Sequence, residues 1–354
     1  PAPSTINVVT FDSLLNTEGG DTISITGIDF GRALQADGHE TAAPLKGVGV
    51  GPYTGTVSMN DMLLPIVAWN HTSIVVTATE GAGTGHELVI TSATQNGFTV
   101  GVSYTPPTIQ SISPTHARTS GLDDDLARVQ VTLDGSNFGP APVTRTVFVG
   151  DNTVNTFISS SHSNLVFELP QGQGANLSVY VVVEGQPSNA VNFTYDPPLL
   201  MSIQPTIGPT DACNSWESLQ AFMNRAATNA GAKRNCLDKV YLTLSGVSFG
   251  KENMKIQVGE ELCDTSSGST SDGNWDCLDC DTGKCYQDDS MIVVRAPAAF
   301  GLNNSVSLWV DNRRDPASAE LFYDYEPPEI SFSSPGSVSQ VKFEYPCGLF
   351  NINV

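Results

Sequence analysis

The chain has 354 residues, of which 40% are hydrophobic and 15% charged, with 32 Gly, 22 Pro and a formal net charge of -21. That length predicts two to four domains of ordinary size, and the composition is too apolar for a disordered chain and suits a turn-rich all-β one. Lys and Arg total 16 and are scattered, which excludes nucleic acid as a partner, because phosphate binding needs clustered cations.

The chain opens on Pro1-Ala-Pro3, with no Met, no basic-then-apolar leader and no long apolar run. It therefore reads as a processed or partial chain without a membrane span of its own. The first element with a recognisable signature is "SITGIDFG", ending at Gly31. A long insert follows, "RALQADGHETAAPLKGVGVGPYTG", and then "TVSMND" and a sequon at Asn70. "GAGTGHE" at Gly81 is rich in glycine but precedes a strand, whereas a phosphate cradle needs a helix N-terminus, so it reads as a turn. Phe98, Val100, Val102 and Tyr104 alternate into "YTPPTI", where the prolines stop the strand because they cannot donate ladder hydrogen bonds.

The same order then recurs. "SISPT" at Ser111 is followed by an alternating strand through Val129, Val131 and Leu133, then "TLDGSNFG" and "VFVG". Sequons follow at Asn176, in "GQGANLSVYVVV", and at Asn192, in "AVNFTYDPPLL". In the latter Val191, Phe193 and Tyr195 alternate with Asn192 and Thr194, which turns the sequon to solvent. The third copy runs from "SIQPT" at Ser202 through "TLSGVSFG", "IQVG" and a sequon at Asn303 to "LFYDYEPPEI", which closes at Tyr325. The shared Gly-x-x-Phe-Gly is read as a sharp turn in which the glycines take positive φ and the Phe plugs the core.

Repeats of about 90 to 130 residues with short strands between Gly, Pro and Asn turns predict β-sandwiches. The expected boundaries are 1–105, 106–196 and 197–326, followed by a strand-like tail at 327–354. The motifs P-x-I-x-S-I-x-P-T, Gly-x-x-Phe-Gly, V-x-V-G and the closing F-x-Y strand resemble those of the IPT/TIG family, immunoglobulin-like domains of the plexin and transcription-factor type. The resemblance covers essentially the whole chain and is cleanest in the second repeat. It implies three tandem immunoglobulin-like sandwiches and extracellular binding or scaffolding, with no particular ligand. The first repeat departs from the pattern in lacking S-I-x-P-T.

Six of the seven cysteines fall between Cys213 and Cys285, a density that points to an oxidising compartment. "CLDC" at Cys277 to Cys280 has zinc-ligand spacing, but no second CxxC or His pair follows it, so disulfides are the expectation. Cys213 and Cys236 bracket a helix-like run, and closing that loop is worth roughly 3 kcal/mol, so they are expected to pair. Cys263, Cys277, Cys280 and Cys285 allow three connectivities, all open. Acidic clusters at Asp123, Asp124 and Asp125, and at Asp276, Asp279, Asp281, Asp288 and Asp289, lack the ligand spacing of a calcium loop and read as solvated surface. The five histidines, at 39, 71, 86, 116 and 162, form no catalytic motif. No cofactor, metal or enzyme activity is expected.

In the tail, Val341, Phe343 and Tyr345 alternate, and Phe350, Ile352 and Val354 alternate again after Cys347. Such a segment is either the stump of a further repeat or a strand that adds to an exposed sheet edge of a neighbouring copy, with Cys347 sealing the contact. The expected role is an extracellular, N-glycosylated structural subunit that self-associates head to tail into a surface fibre or coat. The alternatives are a spacer segment of a receptor or adhesion ectodomain, which predicts a monomer, and carbohydrate-binding modules, which require aromatic side chains exposed on one face.

Overall fold

A computed structural model of the protein describes residues 5–10, 14–28, 30, 55–92, 95–98, 101–216, 236–251, 253–263, 284–316, 320–328, 341–345 and 348–352. The described residues are all-β and build immunoglobulin-like sandwiches. They fall into two compact units, one of Pro1–His116, Arg128–Pro170 and Asn176–Phe193, the other of Ala117–Ala127, Gln171–Ala175 and Thr194–Val354.

Strands form where apolar and polar residues alternate, because successive side chains on a pleated strand face opposite ways. In Thr22–Ile28, Ile23 and Ile25 are fully buried while Thr22 and Thr26 are exposed. In the first module one sheet runs Thr5–Thr10, Thr22–Ile28, Ser73–Thr77, Ile66–Trp69, and a second runs Met62–Leu63, Gly55–Met59, Leu88–Ser92, Gln95–Phe98. Ile23, Ile25, Ile74 and Val76 of the first share one core with Val57, Met59, Leu88 and Ile90 of the second. Module three repeats the plan. Leu242, Leu244, Ile292 and Val294 of one sheet share a core with Ile256, Val258, Val306, Leu308 and Val310 of the other. Module two has corresponding sheets around Gln130–Ser136 and around Arg145–Val149 with Leu177–Val183.

The Gly-x-x-Phe-Gly motif is built identically wherever it is described. Phe30, Phe138 and Phe249 are wholly buried, each contributing about 1.5–3 kcal/mol by leaving water. Their N–H groups donate to the carbonyls of His71, His162 and Asp289. The two glycines serve different ends, which corrects the sequence expectation. Only the last has positive φ, 76° at Gly139 and 62° at Gly250. The first lies where a second strand presses close: a Cβ on Gly135 would stand 2.1 Å from the Thr108 carbonyl oxygen, and one on Gly246 2.0 Å from that of Leu199. In module two the turn is also locked from inside. Buried Arg145 donates from Nε to the Phe138 carbonyl at 2.6 Å and from Nη2 to those of Gly139 and Pro140 at 2.6 and 2.7 Å.

The V-x-V-G element is present in all three modules, including the first, where sequence shows only a loose equivalent. Asn60, with φ 49°, turns the chain after Met59 as Gly150 and Gly259 do after Val149 and Val258. The residue five positions past that strand end returns to the core: Leu64, Val154 and Cys263, exposed by 4%, 8% and 5%. Leu64 and Cys263 donate equivalent backbone bonds, to Val57 and Ile256.

This corrects the expected disulfide at Cys263, which is a free thiol. It occupies the position of a core aliphatic residue, and burial pushes its pKa up to about 12. Cys213 is disulfide-bonded. Its strand, Cys213–Trp216, pairs with Cys236–Lys239 in a register that sets Cys213 against Lys239 and Cys236 against Trp216. Cys277, Cys280 and Cys347 lie outside the described residues, and Cys285 is described in its backbone alone. In the tail, Val341–Tyr345 and Gly348–Ile352 form an antiparallel two-stranded sheet that sets Val341 against Ile352 and Phe343 against Phe350. The two alternating segments thus pair with each other. Val354 lies outside the described residues.

Gly135→Ala or Gly246→Ala is expected to lower stability by about 2–3 kcal/mol, because the new methyl has only backbone to displace; thermal unfolding checks this. Cys263→Val, which installs the residue of module two, is expected to cost less than about 1.5 kcal/mol. The folded thiol keeps its proton to about pH 12 while the unfolded one loses it near 9. Stability therefore falls as pH rises across that window, and the valine variant is expected to lose this part of the slope in denaturant titrations.

Candidate functional site

The chemistry-bearing side chains that the fold brings together lie at the joints between successive modules, and the joint is the candidate site. Its inner half is a tyrosine. Tyr104, Tyr195 and Tyr325 close their modules at 2% exposure or less. Their N–H groups donate to the carbonyls of Gly83, Gly174 and Gly301, and the next residues donate to Leu15, Ala117 and Gly208. Thr17, Thr119 and Thr210 then accept from the N–H groups of Gly81, Gly172 and Ala299. A Cβ on Gly81 or Gly172 would strike the ring of Tyr104 or Tyr195 at 2.5 Å. The Tyr104 hydroxyl donates to the Thr79 carbonyl and that of Tyr325 to the Pro297 carbonyl, both at 2.9 Å. Burial raises the pKa of all three phenols. "GAGTGHE", read from sequence as a turn, is therefore a turn that also carries the joint.

The first joint joins module two to this foundation. Gln186 uses both ends of its amide, donating from Nε2 to the Tyr104 carbonyl and accepting the Gly83 N–H, each at 3.1 Å. His162 sits with Nδ1 3.2 Å from the Thr17 hydroxyl and Nε2 3.6 Å from a Glu80 carboxylate oxygen. Thr17 donates to Asn137 Oδ1 at 3.3 Å, and Asn137 Nδ2 donates to the Pro106 carbonyl at 3.3 Å. Ala82 is buried against Gly139, whose missing side chain leaves room for it: a Cβ there would lie 2.9 Å from the alanine methyl.

The second joint has the same plan with different side chains. Arg313, which stands after Val310 as Gln186 stands after Val183, donates from Nη1 to the Tyr195 carbonyl. Asp289, the counterpart of His162, accepts the Thr119 hydroxyl and also the Gly250 N–H at 3.1 Å. Gln173 occupies the place of Ala82, and its Oε1 accepts the Lys251 N–H at 2.9 Å beside Gly250. Arg313 Nε and Nη2 are buried without a partner. Burial accordingly lowers its pKa, with Asp311 and Asp196 opposing that shift.

The other residues singled out in sequence fall elsewhere. Asn70, Asn176, Asn192 and Asn303 are all exposed, Asn176 and Asn303 immediately ahead of strands at φ 54° and 56°. Asp123 spends its carboxylate on the N–H groups of Asp125 and Ala127, at 3.0 and 2.9 Å, and Asp124 pairs with Arg118. Asp288 accepts from the N–H groups of Ser290 and Met291, at 2.7 and 2.6 Å. Asp276, Asp279 and Asp281 lie outside the described residues, as does His39. Among the described residues no group of three metal-ligating side chains gathers, and no helix is long and apolar enough to cross a membrane. Phe148 and Tyr180 stack on the outer face of a module-two sheet, with centroids 4.7 Å apart and planes at 6°.

The chain belongs to the IPT/TIG domain family, whose model matches residues 10–106 and 107–195, more than half its length. No curated protein matches it. Solved structures similar to it include one with a xylogluco-oligosaccharide, at 13% identity, TM-score 0.36 and 91% of this chain covered. A surface glycan-binding protein from Prevotella bryantii aligns at 13% identity and TM-score 0.35 over 80% of this chain. The plexin A4 extracellular region aligns at 14%, TM-score 0.25, over 99%. The chain spans 60%, 63% and 26% of these structures, less than two thirds of each.

Gln186→Ala removes two hydrogen bonds to backbone and is expected to cost about 1–3 kcal/mol, read as faster hydrogen exchange at the Gly83 amide with exchange in the module-one core unchanged. Arg313→Gln, which copies the first joint and relieves two unpaired buried donors, is expected to be neutral or stabilising in thermal unfolding. Arg313→Glu, which sets a carboxylate against the Tyr195 carbonyl, is expected to destabilise.

Proposed function

We propose that this protein is an extracellular structural glycoprotein, a chain of immunoglobulin-like spacer modules whose copies associate head to tail into a surface fibre or coat. The observation that carries this reading is the joint, formed twice on the same backbone groups. In each, a side chain of one module donates to the closing tyrosine carbonyl of the module before it, at Tyr104 and at Tyr195. Three-point fixing of this kind restrains bending between neighbours more than a Pro-Pro linker does by itself, as a load-transmitting element requires. The polar side chains of the joints are engaged in holding modules together.

Three further features support the reading. The four sequon asparagines are exposed, where N-linked glycans fit. The acidic balance keeps a secreted chain soluble. Among the described residues the tail hairpin forms a sheet of two strands, an arrangement that gains from a further strand on either edge. Val341, Phe343, Tyr345, Phe350, Ile352 and Val354 are the proposed contacts to a second copy, with Cys347 to seal them. A contact between unlike surfaces of two copies propagates into rings or open filaments. The carbohydrate-binding reading is favoured by one observation, the Phe148–Tyr180 pair, whose rings are of the type on which sugars stack.

Purified from a glycosylating host, the protein is expected to carry glycans at the four sequons by mass spectrometry. It is expected to form concentration-dependent multimers in sedimentation velocity and fibres in negative stain. Deleting residues 327–354 is expected to weaken that association. A full-length chain that stays monomeric at all concentrations overturns the structural-subunit reading in favour of an ectodomain spacer.

A further inference from the structure

The aromatic pair of module two stands upright on its sheet. Phe148 and Tyr180 lie directly opposite one another on the adjacent strands Arg145–Val149 and Leu177–Val183. Their centroids are 4.7 Å apart and their planes 6° from parallel, and that separation is the spacing of neighbouring strands. The rings are therefore stacked along the direction that crosses the sheet. Phe148 covers one face of Tyr180. The other face turns toward the strand on the far side, Val191–Tyr195.

That strand carries the sequon at Asn192. Asn192 pairs with Ser178, which precedes Tyr180 by two residues and so shares its side of the sheet. Asn192 and Ser178 are exposed, whereas Phe193 and Val179 beside them are buried. A diagonal neighbour of this kind lies about 7–8 Å away, within reach of a long side chain, and an asparagine that carries a sugar is one. The C–H face of a hexose is apolar and bears partial positive charge, so it is drawn to the electron-rich face of an aromatic ring.

The sister modules serve as controls. Ser58 and Gln257 stand where Phe148 stands, with Val89 and Ser307 opposite them in the same ladders. The position of Asn192 is held by Gly101 in module one and by Phe322 in module three. Both modules build this sheet without an aromatic pair at these positions, and neither has a sequon there. Stack and sequon occur together, in module two. Its other sequon, Asn176, lies in a turn at φ 54° ahead of Leu177–Val183.

We infer that the N-glycan of Asn192 folds back onto module two, its first sugar lying on the free face of Tyr180 while Phe148 holds that ring upright. This rests on the glycoprotein part of the reading above and deepens it by assigning the aromatic pair to the chain's own sugar. A glycan held there becomes a fixed part of the sheet surface and keeps that face out of contacts between copies.

The test uses the full chain from a glycosylating host, with occupancy read by mass spectrometry, and an amidase that strips N-glycans from the native protein. The Asn192 glycan is expected to be released about three- to tenfold more slowly than the Asn176 glycan, the difference that a ring contact of this kind makes. Phe148→Gln combined with Tyr180→Ser, the pair that module three carries, is expected to speed release at Asn192 and leave Asn176 unchanged. In the unaltered chain, the acetyl-methyl protons of the first sugar at Asn192 are expected to show an upfield ring-current shift in NMR. Release at Asn192 that the double variant does not change, with unshifted acetyl protons, overturns the inference. So does an empty Asn192 in a chain glycosylated at Asn176, and both results leave the structural-subunit reading standing. Free cello-oligosaccharide that binds the glycosylated chain, and no longer binds after Tyr180→Ser, assigns the rings to an outside sugar and likewise overturns it. A chain unmodified at all four sequons overturns the glycoprotein reading along with it.

Discussion

The closing tyrosine of each module is the constraint on which the rest depends. Its ring fills the end of the core, and at Tyr104 and Tyr195 a bare glycine is needed beneath it, since a Cβ on Gly81 or Gly172 would meet the ring at 2.5 Å. The tyrosine N–H ties the last strand to the preceding turn. With side chain and N–H both used inside the module, the carbonyl is left facing outward in a fixed position. The next module needs only a donor at the start of its short strand to read that position, and Gln186 and Arg313 both supply one. Folding a module therefore prepares the surface that receives its neighbour.

That division of labour explains why the joint tolerates chemical change. The accepting groups are backbone carbonyls, which every residue offers, so the donor is free to vary between an amide and a guanidinium. The cost of that freedom appears at the second joint. The guanidinium brings more donors than the site accepts, and two remain buried without partners. The threonine hydroxyl is similarly permissive, since it donates to the Asp289 carboxylate and lies within hydrogen-bond distance of the His162 imidazole. Acidic side chains that invite a metal reading, Asp288 and Asp289 among them, are engaged by backbone N–H groups and the joint.

Much of the fold was legible because it rests on repeated identity and on a period of two. Gly-x-x-Phe-Gly, V-x-V-G and the terminal tyrosine each recur at similar spacing, and the residues so marked are the buried ones. Cysteine counting misled at Cys263, because a count is blind to strand register. The alignment "VGDNTV" with "VGEELC" places the thiol where valine stands. The glycine reading misled in a different way. Sequence does not distinguish a glycine kept for positive φ from one kept for a 2 Å approach of another strand, and Gly135 is of the second kind.

The joints were not legible, for a physical reason. Their equivalent positions hold Ala82 and Gln173, His162 and Asp289, Gln186 and Arg313, pairs with no shared side-chain chemistry. Gln186 and Arg313 share a backbone partner some eighty to a hundred and twenty residues away, and His162 and Asp289 share a threonine hydroxyl farther off still; such pairings exist only once both modules have folded and met. By itself the sequence determined the modules, because burial of alternating apolar residues is a local pattern with a fixed period. Tertiary structure alone decided how one module grips the next, because the tyrosine carbonyl that receives the grip is a backbone group that every residue carries.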